Sequence, residues 1–388
     1  MNIFRPVGKH SSRWLANMLL LLTCAWNSGT ALAEIPGVNL IEASPESQKL
    51  DGRKLDAALA MIEAGDYGNI DALLVLRNNH LVLEKYFSPD YHGREYLRPI
   101  LSSTMRPILS STKSITSALI GIAVGQGKIT GVGEKLLDYF AEYPDLEKPD
   151  ARKHKITLEN VLTMSAGFQW NELEISYADP RNDFNKMLRS RDWVKYVLDA
   201  PMSHAPGEQM VYSSGSSLLL SSILQKSTGR SVEEFAIEHL FGPLGIEHYT
   251  WSLARGGITN THTGLAMRRR DLAKIGILFL NQGRWLERQL IPQKWVLQST
   301  RKHLATGPDT DGSWYGYGYQ WWRFHDRDPT VKDLEVNDIY FSWGYGGQFI
   351  FVVPHLNMVV VSTGDLYGAD HRRTFDLLRD NIFPALLE

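Results

Sequence analysis

The chain has 388 residues, 43% of them hydrophobic, enough to bury a large core as one domain or two closely joined parts. Its formal charge is −2, and its one basic run, Arg268-Arg269-Arg270, is too short to track a nucleic acid, so that partner class is excluded. The twelve histidines show no H-E-x-x-H or comparable spacing and there is a single cysteine, so neither a metal nor another cofactor is expected.

The first 33 residues read as a secretion signal. Arg5, Lys9 and Arg13 precede an apolar run from Trp14 to Trp26, and Ala31-Leu32-Ala33 places small residues at a cleavage site. Cleavage after Ala33 makes Glu34 the first mature residue and the protein secreted or periplasmic. The apolar run is shorter than the ~20 residues a membrane span needs, so no stable span is expected in the mature form. Leu21-Leu22-Thr23-Cys24 faintly resembles a lipobox, which leaves a lipoprotein anchored through Cys24 as the alternative. Removal of the leader takes the only cysteine with it and leaves a net charge of −5.

Residues 34–50 read as irregular and 55–64 as a helix. Ala72 to Arg77 and His80 to Tyr86 read as two strands joined by Asn78-Asn79, since asparagine tolerates the positive φ of a two-residue hairpin turn. Residues 98–105 and 106–113 then form a tandem repeat, Arg-Pro-Ile-Leu-Ser-Ser-Thr, followed by Met105 in the first copy and Lys113 in the second. Only the second copy runs into a helix, whose apolar face is Ile115, Ala118, Leu119, Ile122 and Ala123 and whose end is Gly125-Gln126-Gly127.

This places Ser110 and Lys113 one helical turn apart on one face. A serine hydroxyl attacks an acyl carbon only when a neighbour takes its proton, and Lys113 is within reach to do so. The helix N-terminus beneath Ser110 offers free N–H groups to a developing negative charge. Ser102 is read as the inert duplicate, because Met105 cannot act as a base.

Residues 110–255 read as mostly helical, with helices from Thr157 (N-cap) to Gly167, 193–199, 217–228, 231–240 and, beyond, 270–280. Tyr212-Ser213-Ser214 stands on a loop before one of these, where a phenol could serve as acid or base, an ordinary buried tyrosine being the alternative reading. Residues 306–330 read as a loop. Strands return at 347–353 and 358–363 around a Pro354-to-Asn357 turn, and a helix at 371–387 closes the chain. Trp343-Gly344-Tyr345-Gly346-Gly347-Gln348 opens the first of these strands, and its glycines would let a substrate lie against the strand edge or form a simple bulge. The Gln348 and Ser110 N–H groups are the oxyanion-hole candidates.

Strands at both ends with helices between them give an α+β fold class: an antiparallel sheet formed by N- and C-terminal segments and flanked by helices, with a mostly helical subdomain inserted. The expected division is an α/β part at 34–109 and 265–388 and a helical part at 110–264.

In order and spacing the three motifs resemble those of the serine β-lactamase and penicillin-binding superfamily: S-x-x-K, then S-x-N or Y-x-N, then K-T-G or H-x-G. The likeness extends over residues 70–365 and is closest to the class C-like branch, which includes secreted carboxylesterases, D-aminopeptidases and 6-aminohexanoate-dimer hydrolases. It takes in Leu162-Thr163-Met164-Ser165-Ala166-Gly167, Pro206-Gly207-Glu208, Pro243-Leu244-Gly245-Ile246 and Arg270-Asp271-Leu272-Ala273-Lys274-Ile275-Gly276.

The resemblance implies an acyl-enzyme on Ser110, with Lys113 as its proton partner, Tyr212 as second acid/base, and Ser214, Tyr345, Gly346, Gly347 and Trp170 at the substrate. Two positions depart from the pattern. Ser214 stands where asparagine is usual, and Tyr345 where a lysine or histidine would hold an antibiotic's carboxylate. Both favour a small ester, amide or peptide-like substrate over a β-lactam. A class C-type β-lactamase or D,D-peptidase is the alternative, and a non-enzymatic penicillin-binding-like sensor a third.

Overall fold

The computed structural model describes residues 39–87, 105–143, 146, 150–306, 315–326, 328–332, 334, 336–366 and 371–387. The leader and the first repeat copy up to Thr104 lie outside them. Nine strands form the main sheet in the spatial order Ile41–Glu42, His80–Tyr86, Ile70–Arg77, Met358–Gly364, Gln348–Val353, Tyr340–Gly344, Trp322–Phe324, Tyr315–Tyr317 and Leu304–Ala305. The pairings are antiparallel except at one edge, where Ile41–Glu42 runs parallel to His80–Tyr86. The N-terminal hairpin is as expected, with Asn78 and Asn79 at φ 51° and 63°.

The centre of the sheet is covered on both faces, so its strands are continuous apolar runs. In Met358–Gly364, Val359 and Val361 lie on the side of the helix Arg269–Leu280, in one core with the buried residues of Thr112–Gly125 and Ser214–Thr228. Met358 and Val360 face the other way, toward the helix Gly52–Ala64 and the C-terminal turns. The period-two alternation of a strand divides the core between the two layers.

Several elements differ from expectation. The helix capped by Thr157 spans only Leu158–Leu162, because Met164 adopts a left-handed φ of 58° and ends it. The segment expected at 231–240 is helical over Val232–Ala236 and then widens into a π turn, and the C-terminal segment is broken into Arg372–Leu377 and two further turns. The expected loop 306–330 contributes two sheet strands. Tyr315, Tyr317, Trp322 and Phe324 are buried there, so aromatic packing overrides the glycines in a stretch without regular alternation.

The segment carrying the candidate nucleophile Ser110 belongs to the second repeat copy. Arg106–Pro107 pairs with Leu265–Met267 in a small three-stranded sheet, and Ile108 N–H donates to Leu265 at 2.9 Å. Arg106 Nε lies 3.2 Å from Asp71 Oδ2, its Nη2 donates to the Gly364 carbonyl at 2.7 Å, and it also pairs with Asp365. Leu109 then takes φ 47°, a costly conformation for a non-glycine residue, and turns the chain into Leu109–Ser111 and the helix Thr112–Gly125. That helix is buried from Thr112 to Ala123 rather than amphipathic. Its hydroxyls turn to carbonyls of segments distant in the chain, as Ser114 does to Gln320 at 2.7 Å and Thr116 to Thr261 at 3.0 Å.

The first copy carries the same Arg-Pro-Ile-Leu-Ser-Ser-Thr and would compete for these contacts with Met105 at the lysine position. Eight extra loop residues by themselves cost under about 1 kcal/mol of closure entropy. A variant lacking Arg98 to Met105 is therefore expected to be at least as active and as thermally stable as the parent. Ester kinetics and thermal melting check this, and a well-folded deletion variant that has lost activity would contradict it.

Candidate active site

Ser110 is half-buried, while Lys113 behind it is 2% exposed. The Lys113 ammonium has three acceptors around it: Ser110 Oγ at 3.0 Å, Ser214 Oγ at 3.2 Å and the His262 carbonyl at 3.0 Å. Burial lowers its pKa from the ordinary lysine value to about 8, and the charge of Glu172 works in the opposite direction. The amine is thus far easier to deprotonate than a surface lysine.

Tyr212 closes the other side of the nucleophile. Its phenol lies near enough to Ser110 for the serine side chain to bear on its ionisation, and Lys113 Nζ sits 5.1 Å from its ring centroid. Burial, and then Glu172, push its pKa well above the ordinary tyrosine value, while the Ser110 side chain works the other way. These surroundings favour the neutral phenol. Of the two groups against Ser110, Lys113 is therefore suited to accept a proton and Tyr212 to give one.

The third motif reaches the nucleophile by close backbone packing. A Cβ on Gly344 would stand 2.1 Å from the Ile108 carbonyl oxygen, so only glycine lets this strand lie against the turn before Ser110. Ser111 Oγ donates to the Gln348 carbonyl at 2.8 Å and accepts from Ser342 Oγ at 3.1 Å. Gly346 and Gly347 form the turn at φ 81° and 88°. The Gln348 side chain is drawn inward, donating to the carbonyls of Gly346 at 3.1 Å and Gly364 at 2.6 Å. Its backbone carbonyl is the group that meets the Ser110 segment, through Ser111. Tyr345 points outward, 45% exposed, with its ring 5.3 Å from that of Tyr177.

Ser214 is not on an open wall. It is 1% exposed in the first turn of Ser214–Thr228, which begins earlier than the expected 217, and its hydroxyl lies between Lys113 and Glu172. Trp170 is buried, packs against Gly215, and donates its indole N–H to Glu172 at 2.8 Å. Glu172, Tyr177 and His262 are the site groups that no motif singled out. Glu172 follows Trp170 by two positions in Trp170-Asn171-Glu172, which gave it no role of its own. His262 offers a backbone carbonyl, which any residue can supply and which therefore leaves no sequence signal. Burial, together with the Lys113 charge, keeps the His262 ring well below the usual histidine pKa.

Beside Tyr212 and Glu172 opens a cavity of about 540 Å³. Trp170, Tyr212, Tyr315, Trp322 and Trp343 give it aromatic walls, Glu174 and Asp183 lie on its acidic side, and no lysine or arginine is among the described lining residues.

Residues 69–380 match the Beta-lactamase family. A Salmonella agona protein provisionally named a D-alanyl-D-alanine carboxypeptidase is 24% identical, with 84% of this chain and 86% of that one covered. Among solved structures, a Bacillus anthracis protein provisionally named a 6-aminohexanoate-dimer hydrolase superposes with a TM-score of 0.68, at 22% identity over 88% of this chain and 86% of that one. A family VIII carboxylesterase gives 0.65, at 16% identity over 88% and 98%. With the family matched over most of its length and the same α+β fold, this chain belongs to the β-lactamase and penicillin-binding superfamily, in its class C-like branch, and is a serine hydrolase of that superfamily.

Proposed function

We propose that the protein is an exported hydrolase that cleaves uncharged esters or amides through an acyl intermediate on Ser110. The observation that carries this reading is Lys113 Nζ, buried, softened to about 8 and 3.0 Å from Ser110 Oγ. Neutral Lys113 takes the Ser110 proton as Oγ attacks the carbonyl carbon. The N–H groups of Ser110 and Gln348 receive the oxyanion, and Tyr212 protonates the leaving alcohol or amine. Water then enters by the same path in reverse and releases the acid.

The cavity supports a substrate with no carboxylate beside the scissile bond. A β-lactam or a D-Ala-D-Ala terminus carries a carboxylate, and the described lining offers it no lysine or arginine. Tyr345, in the place of the family's cation, can give at most a neutral hydrogen bond. The carboxypeptidase name carried by the Salmonella agona relative favours the D,D-peptidase alternative, and assay separates the two. Short-chain nitrophenyl esters and linear amides should turn over, with little labelling by a fluorescent penicillin. Release of D-alanine from a D-Ala-D-Ala peptide without ester turnover would select the peptidase, and failure of every probe to form an adduct would select the sensor. Export is checked by N-terminal sequencing of the processed protein, expected to begin at Glu34.

The pH dependence follows from Lys113. Only its neutral form accepts a proton, so kcat/KM should rise with pH and reach half its plateau near 8, where burial has moved the amine. A pH profile half-risen near 5 would point to a carboxylate base instead.

A further inference from the structure

Glu172 lies 2% exposed behind the lysine and receives four hydrogen bonds. Its Oε1 accepts from Ser214 Oγ at 2.6 Å and Tyr177 OH at 2.9 Å, and its Oε2 from the Ser214 N–H at 2.7 Å and Trp170 Nε1 at 2.8 Å. Two of these donors are fixed N–H groups, so the carboxylate cannot turn. We propose that Glu172 is a positioning residue that fixes the direction of the Ser214 hydroxyl and thereby aims the lone pair of neutral Lys113 at Ser110. The inference rests on the acyl-serine reading of the site.

Ser214 has one hydroxyl proton, and a carboxylate only accepts, so that proton goes to Glu172 and Ser214 presents a lone pair to Lys113. The His262 carbonyl is likewise acceptor-only. Charged Lys113 has three N–H donors for three acceptors. When it becomes neutral it keeps two, and these stay on Ser214 and His262, the two partners that have no proton to give it. The lone pair is left facing Ser110, the one neighbour with a proton to lose. Without the carboxylate, Ser214 is free to donate to the lysine nitrogen and compete with the nucleophile for that lone pair. Glu172 and Ser214 together thus do what an amide in the second motif could do through its carbonyl, which gives the departure at Ser214 a physical purpose.

The other titratable groups facing Lys113 are Tyr212, from the loop before Ser214–Thr228, and His262, from the segment before Leu265–Met267. Tyr177 is one bond further out on Glu172. Burial holds Tyr212 and His262 uncharged, which leaves Glu172 as the counter-charge.

The test is Glu172→Gln, assayed for ester hydrolysis across pH. The plateau of kcat/KM should fall on the order of 10- to 100-fold, mainly through kcat, part of what a positioned base contributes. The acid limb should move below the parent's midpoint, because the charge that favours the ammonium is gone. A merely structural role would lower the melting temperature without moving that midpoint. Ser214→Ala, which retains the carboxylate, should lower kcat with a smaller shift, and it keeps the test open if Glu172→Gln does not fold. In protein labelled with ¹³C-lysine, the Lys113 resonance, assigned by its loss in Lys113→Ala, should titrate at lower pH in Glu172→Gln, a readout independent of turnover. A folded Glu172→Gln with parental plateau and midpoint would overturn the proposal. A parent without ester or amide turnover whose lysine midpoint still shifts would instead overturn the proposed function.

Discussion

Ser110→Ala is expected to abolish turnover, while Ser102→Ala leaves it nearly intact. The two serines occupy identical positions in the repeat, so local sequence separates them only through Met105 and Lys113. The structure adds contacts made by the second copy: Arg106 with Asp71 and Asp365, Ile108 with Leu265, Ser111 with Gln348, and Lys113 itself at 3.0 Å. Loss of the hydroxyl removes the atom that forms the acyl bond, and no neighbouring group replaces it. Labelling with a fluorophosphonate followed by peptide mass spectrometry locates the adduct. A label on Ser102 would reverse the assignment.

Lys113→Ala and Tyr212→Phe should each cost at least about 100-fold in turnover, the lower end for a positioned acid or base. Lys113→Ala leaves Ser110 without a base and strips Ser214 and His262 of their shared donor, so it should fall for every substrate. Tyr212→Phe removes the donor to the leaving group, and its effect should be greater on an amide than on a nitrophenyl ester, whose leaving group needs little protonation. The double variant should be far from additive, since both residues serve one proton path through Ser110. The four kcat values on one ester and one amide decide it, and near-full amide hydrolysis by Tyr212→Phe would remove it from that path.

The sequence by itself determined the parts whose geometry is local. Ser110 and Lys113 meet because a helical turn brings residues three apart together, whatever the rest of the chain does. Asn78-Asn79 specifies its hairpin, and Thr157 specifies a helix start, because turn and cap chemistry lies within four residues. The order of the three motifs was legible in the same way and carried the family with it.

Only the tertiary structure decided what those residues face. Helix 112–125 read as amphipathic because its serines and threonines look solvent-bound, yet its hydroxyls find carbonyls from Thr261 and Gln320 well over one hundred residues away. The strands within 306–330 form because their aromatic side chains pack with the sheet and the C-terminal helix, as Tyr315 does with Phe341 and Phe375, which no window of local alternation reveals. Ser214 read as a substrate contact until folding placed Glu172 2.6 Å from its hydroxyl. The softening of Lys113 is likewise absent from any motif, since it comes from burial opposed by a carboxylate fifty-nine positions away. Local sequence fixes which groups are neighbours along a helix or turn, whereas desolvation and the direction of a shared proton depend on every wall of the cavity, and those walls come from segments that only the folded chain brings together.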